Sequence, residues 1–277
     1  MTNFRRLAKG VLSAAALFAA TAATGHEFWI EPLDYEVAVG EPIEATLKNG
    51  EDFKGSTYPY LDELFTRFEL FTRDGAAPVA GRRGDNPAVN VKAATGGLHV
   101  FVYESRMYDL TYREFEKFEN FLRSKKLDWA LEAHAEKGFP TDRVKETYYR
   151  YPKALVKVGS GAGRDERTGQ PFELVAEINP YSAAAKHGVR VRLYLEGAPF
   201  PGADVQIFHF PEGADEAAKA HATTDATGRA TIPVFDGGPF LVNATHLRPP
   251  RPEGEAKGAH WESLWATMTY ALPRRGE

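Results

Sequence analysis

The sequence predicts a mostly β protein, built as two β-sandwich domains with a helical insertion between them. Three observations predict it. Short runs of alternating apolar and polar residues recur on both sides of one helical stretch. Turn residues separate these runs at the intervals a sandwich uses. Cysteine is absent, so stability must come from burial, with no disulfide or thiolate ligand available.

The first sandwich is expected over residues 26–110. Tyr35-Glu36-Val37-Ala38-Val39, Ile43-Glu44-Ala45-Thr46-Leu47, Phe68-Glu69-Leu70-Phe71 and Leu98-His99-Val100-Phe101-Val102-Tyr103 read as strands. Gly40-Glu41-Pro42 and Asp74-Gly75 supply turns. The insertion, residues 111–158, opens as a helix running to about Gly138. Leu110, Phe115, Phe118, Phe121 and Leu122 recur at three-to-four spacing with charges between them. Gly138-Phe139-Pro140 ends that pattern, and a further helical turn or two is expected over Asp142 to Tyr149, before a return strand. The aromatic stripe reads as core packed against a sandwich.

Gly159 to Gly169, rich in Gly, Arg and Asp, reads as a linker to the second sandwich, residues 170–273. There, Leu174 to Ile178, Val189 to Leu195, Ala203 to Phe208, Phe240 to His246 and Trp265 to Tyr270 carry strand patterns. Thr224-Asp225-Ala226-Thr227-Gly228-Arg229 is a tight turn in which the Asp225 side chain caps the backbone.

Residues 1–25 read as an export signal. Arg5, Arg6 and Lys9 form a basic start, an alanine-rich apolar run follows from Val11, and Ala23-Thr24-Gly25 offers small residues for cleavage. The run is shorter than the roughly 20 apolar residues that span a bilayer. Cleavage after Gly25 is preferred, and cleavage after Ala22 is the alternative. The Arg5-Arg6 pair hints at twin-arginine export. The expected location is therefore the periplasm or the exterior. Cleavage removes three basic residues and no acid, taking the formal net charge from -4 to -7. A mildly acidic chain without a basic run gives no support for nucleic-acid binding.

Of eight histidines, His26 stands out as the first residue after the preferred cut. Such a terminal residue offers its α-amine and an imidazole nitrogen to one ion. A second histidine completes a three-nitrogen site suited to copper or nickel. His246, at a strand end, and His260, across the following Pro/Arg-rich loop, are the candidates to join it, with His99 third. The bland reading of each is a hydrogen-bonded structural histidine. Glu27, Glu31 and Glu262 are weaker candidates to assist a metal. Trp29, Trp129, Trp261 and Trp265 invite a carbohydrate platform, although buried packing is the ordinary use of such rings. No nucleophile elbow, phosphate loop, His-Glu-x-x-His helix or dinucleotide fingerprint occurs.

The chain also resembles a known group. His26-Glu27-Phe28-Trp29-Ile30-Glu31-Pro32, Glu146-Thr147-Tyr148-Tyr149-Arg150-Tyr151-Pro152-Lys153-Ala154 and Asn179-Pro180-Tyr181 are similar to the domain of unknown function family 4198. So are Gly202 to Val205, Thr224 to Gly228 and His260-Trp261-Glu262-Ser263-Leu264-Trp265-Ala266-Thr267. The resemblance implies a periplasmic component of cobalt or nickel uptake, with an immunoglobulin-like or transthyretin-like C-terminal sandwich. It transfers no catalytic residue. The family's opening motif often has alanine before the histidine, where this chain has Gly25.

The resulting expectation is a periplasmic binding protein, not an enzyme. It captures nickel or cobalt, with copper next, through His26, His246, His260 and His99, and passes the ion to an inner-membrane transporter. The alternatives are a copper-dependent oxidative enzyme with a terminal-histidine site, and a metal-free carbohydrate- or protein-binding module.

Overall fold

Alternation along single strands explains the layering. On the strand Gly97–Ser105, Leu98, Val100 and Val102 join one core with Leu174, Val191 and Leu193. Phe101 and Tyr103, pointing the other way, join a second core with Phe28, Ile30 and Ile43. The strand Asp142–Val158 divides likewise, with Tyr151 and Leu155 in the first core and Ala154, Val156 and Val158 in the second. A strand with period-two side chains and both faces covered needs apolar residues at nearly every position. These strands therefore lie in a middle layer.

The computed structural model describes residues 26–211 and 213–273. The predicted export signal, residues 1–25, lies outside the described residues. No helix among them is long and apolar enough to cross a membrane. The middle layer is a ten-stranded sheet. Its main path runs Ala218–Thr223, Asp204–His209, Gly238–Arg248, Trp261–Leu272, Asp142–Val158, Gly97–Ser105, Phe65–Thr72, Gly75–Pro78. One outer sheet contains Glu27–Pro32, Pro42–Glu51, Lys54–Tyr58 and Val89–Lys92. The other contains Phe172–Ala176, Val189–Leu195, Ala198–Pro199 and Arg229–Ile232. The fold is mostly β, as expected. The outer sheets share one middle sheet, and residues 142–158 serve both cores.

The aromatic stripe does pack as core. Phe118, Phe121 and Leu122 of the helix Phe115–Ser124, with Ala130 of Trp129–Glu136, cover Val144, Trp261 and Trp265. The helix expected over Asp142 to Tyr149 is instead the start of the long strand Asp142–Val158. It is hydrogen-bonded antiparallel to Tyr108–Glu114 on one side and parallel to Trp261–Leu272 on the other. Pairing on both sides outweighs the weak local preference for helix. Pro152, which lacks an N–H to donate, falls where the neighbour on one side changes. Tyr108–Glu114 registers up to Tyr148, and Gly97–Ser105 takes over from Leu155.

The expected linker is fastened rather than loose. Asp165 within it is buried and accepts Lys153 Nζ at 3.1 Å, while Glu173 accepts the same Nζ at 3.0 Å. Ala162 also accepts the Leu98 N–H at 2.9 Å. The turn at Asp225 behaves as predicted: its Oδ1 accepts the N–H groups of Thr227 and Arg229 at 2.7 and 3.0 Å.

Candidate functional site

The break in pairing along the long strand opens a pocket. Backbone between Tyr148 and Leu155 has no registered partner on that side, and the Arg150 N–H donates to Ser105 Oγ at 2.9 Å instead. Glu146, Tyr148 and Arg150 follow at every second residue and line the same cavity, of about 340 Å³. His26, just before the strand Glu27–Pro32, and Phe28 within it also line the cavity, as does Trp265 of the last strand. Segments distant in sequence thus supply its walls, with Tyr58, Tyr103 and Tyr108 completing an aromatic lining.

Arg150 is held among rings. Its guanidinium carbon lies 4.9 Å from the centroid of Tyr148, 5.4 Å from Phe28 and 5.9 Å from Tyr108. Nη2 donates to the His26 carbonyl at 3.2 Å, and Nε is buried without an acceptor. This bond ties the first described residue to the pocket. The His26 imidazole stands beside Glu51, Nε2 lying 3.4 Å from Oε1, and it is half-buried.

Glu146 is fully enclosed. Tyr112 donates to Oε2 at 2.7 Å, Ser263 donates to Oε1, and Ser263 in turn accepts the Trp265 indole N–H at 2.8 Å. Burial pushes the Glu146 carboxyl up to about 7, against the opposing pull of those two hydroxyls and the Arg150 charge. The same burial raises the Tyr112 phenol well above its usual range. Proton occupancy at Glu146 therefore changes near neutral pH.

The predicted metal residues occupy four different settings. His99 is buried on the strand Gly97–Ser105, its Nδ1 3.3 Å from the Gly97 carbonyl, with burial lowering its pKa. His246 lies against Phe200 and Phe172, ring centroids 4.8 and 6.1 Å away. Burial, with help from Arg248, lowers its pKa to about 4. His260 accepts the Lys145 N–H on Nδ1 at 2.9 Å and lies 5.0 Å from the Phe139 ring. Its ring neighbours His134, centroids 6.4 Å apart, but His134 is itself engaged. His134 Nδ1 accepts the Trp261 indole N–H at 3.0 Å, and Nε2 lies 3.0 Å from the Pro140 carbonyl. Only His26 of the four lines the pocket. Among the described residues no group of three or more His, Cys, Asp or Glu side chains is placed to hold a metal ion.

The acidic candidates are engaged elsewhere. Glu27 is buried against Lys125, whose Nζ also reaches Gln206 Oε1 at 2.8 Å and lies 5.0 Å from the Trp265 ring. Glu31 accepts the Trp29 indole N–H at 2.8 Å. Glu262 pairs with Arg248 at 2.8 Å and Arg251 at 3.0 Å. Of the tryptophans, Trp29, Trp261 and Trp265 are buried and Trp129 is 51% exposed. Arg150, Glu146, Tyr108 and Tyr148 are the pocket residues that site-by-site sequence reading missed. The signal that finds three of them is period-two spacing at Glu146, Tyr148 and Arg150, visible once the segment is read as a strand.

The fold and pocket define a mostly β protein with an aromatic, arginine-centred cavity on a shared middle sheet. Residues 23–248 match the family described as a domain of unknown function (DUF4198), and the chain belongs to that family. No curated protein matches. Solved structures show only remote likeness. The tetra-tandem repeat of the extending region of a large adhesion protein is 11% identical, covering 88% of this chain and 49% of that one at a TM-score of 0.20. Escherichia coli alpha-2-macroglobulin activated by porcine elastase is 13% identical, covering 90% and 20% at 0.21. The N-terminal four Ig domains of Dscam1 isoform 9.44, with zinc, are 12% identical, covering 90% and 52% at 0.16. This chain spans about half or less of each.

Proposed function

We propose that the protein is an exported carrier that takes a divalent transition metal, nickel or cobalt first and copper next, at His26 and hands it to a membrane transporter. The observation that supports this reading is the position of His26. The pocket's arginine fixes the His26 carbonyl, so the residue that cleavage after Gly25 would expose stands at the pocket wall beside Glu51. An α-amine, an imidazole and a carboxylate form a mixed nitrogen–oxygen donor set that nickel, cobalt and copper accept. His99, His246 and His260 have no part in this version of the site.

The test uses protein recovered from the periplasm. Intact mass and N-terminal sequencing establish where the chain begins, and calorimetry then titrates it with nickel, cobalt and copper. The expected result is a chain starting at His26 that binds one ion, and a variant with one alanine placed before His26 that has lost tight binding. A different start, or an extended variant that binds equally well, sinks the proposal. The aromatic lining and Arg150 favour one second reading, a metal-free module for a small organic anion. Anion binding that persists in excess chelator supports it.

A further inference from the structure

Arg150 differs from Arg67 and Arg248, which are also partly buried, in what it bonds. Arg67 pairs with Glu69 and Glu104, and Arg248 with Glu196 and Glu262. Arg150 donates to one main-chain carbonyl, and its buried Nε has no acceptor. The acid that shares its cavity does not fill the gap, because both oxygens of Glu146 are taken by Tyr112 and Ser263. A buried donor at a cavity wall gains by meeting an acceptor that enters the cavity. Three aromatic rings hold the guanidinium plane in place. A fixed, weakly hydrated, forked cation is the standard receptor for a flat oxyanion such as a carboxylate.

Size points the same way. Metal–nitrogen and metal–oxygen bonds are about 2 Å long. Six coordinated waters at about 30 Å³ each make a smaller body than a cavity of about 340 Å³ can take. Tyrosine and phenylalanine faces on the remaining wall suit a carbon-bearing ligand better than a hydrated ion.

We infer that the pocket takes its metal as a small carboxylate complex, with a ligand carboxylate against Arg150 and the ion toward His26. This rests on the metal reading above and names the form in which the ion arrives.

Calorimetry on protein beginning at His26, with nickel chloride, nickel citrate and citrate alone as probes, tests it in the wild type, Arg150→Gln and Arg150→Lys. The wild type should bind nickel citrate at least tenfold more tightly than nickel chloride. That ratio should fall to near one in both variants, whatever happens to affinity for the bare ion. Arg150→Lys keeps the charge and loses the fork, so it carries the test if Arg150→Gln proves misfolded by circular dichroism. A wild-type ratio near one, or a preference surviving in a folded variant, overturns the inference while leaving the metal reading standing. Citrate binding as tightly without nickel as with it overturns the inference too. Failure of nickel chloride and nickel citrate alike to bind removes the metal reading itself.

Discussion

Arg150 Nη2 donates to the main-chain carbonyl of His26 at 3.2 Å, across 124 residues of sequence. This one bond couples the start of the first strand to the middle of the longest. It also lies where the long strand changes partners, so the same irregularity that opens the pocket frees the arginine to reach His26. Neighbouring bonds strengthen the tie, as the hydroxyls of Thr267 and Thr269 donate to the carbonyls of Phe28 and Ile30 at 2.7 and 2.6 Å.

If metal is held at His26, the other three candidate histidines are dispensable. Single alanine variants of His99, His246 and His260 should bind nickel within about twofold of wild type, because their rings lie in settings of their own. His26→Ala should lose at least tenfold. Equilibrium dialysis of the four folded variants decides it, and a tenfold loss in any of the first three would restore a multi-histidine site.

Strand identity was legible where alternation was clean, and the site was legible only in pieces. Gly97–Ser105 is marked by the run Leu98 to Tyr103, and the last strand by Trp265 to Tyr270, although Trp261–Leu272 also buries the polar Glu262, Ser263, Thr267 and Thr269. Asp142 to Tyr149 is charged and aromatic, and nothing local reveals that Tyr108–Glu114 and Trp261–Leu272 flank it. A helix ending at Tyr149 would turn Tyr148 away from Glu146 and leave Arg150 outside it, whereas the strand Asp142–Val158 sets all three on one face. The shared middle sheet was illegible for a related reason. Alternation shows that a strand has two faces, but not which distant sheet covers each.

Glu146 makes stability depend on pH in an unusual direction for a carboxylate. Its folded pKa, about 7, stands above the ordinary 4.5, so the folded state binds its proton more tightly than the unfolded state. That contribution is complete below pH 4.5 and is lost as pH rises through 7. It amounts to roughly 3 kcal/mol. Glu146→Gln cannot titrate, so its urea midpoint should gain on wild type from pH 5 to pH 8 and level off above. A difference that stays constant across that range would show that Glu146 is not buried as a proton-sharing group.

The buried Lys153 should be among the most sensitive charges in the protein. Its Nζ is shared by Asp165 and Glu173, and all three side chains are at most 1% exposed. Lys153→Met strands two buried carboxylates and should cost about 3–5 kcal/mol in chemical denaturation. The triple variant that adds Asp165→Asn and Glu173→Gln should recover part of this, because it removes the stranded charges. Equal loss in both variants would show that packing around the lysine stem, not charge, sets the cost.

His246 predicts the opposite acid response to Glu146. Its pKa is lowered from 6.5 to about 4, chiefly by burial and secondarily by Arg248. The unfolded chain therefore takes up a proton near pH 6.5 that the folded chain refuses until near pH 4. The stability this provides is complete above 6.5 and is lost as pH falls toward 4. Leucine keeps the apolar contact with Phe172 and Phe200 and cannot be protonated. His246→Leu should therefore lose less thermal stability than wild type between pH 6.5 and pH 4, with little difference in the pH response above 7. Scanning calorimetry at half-unit intervals checks this, and parallel melting curves for the two proteins below pH 6.5 would refute it. A histidine kept neutral against two phenyl rings serves packing, and it does not line the pocket at His26.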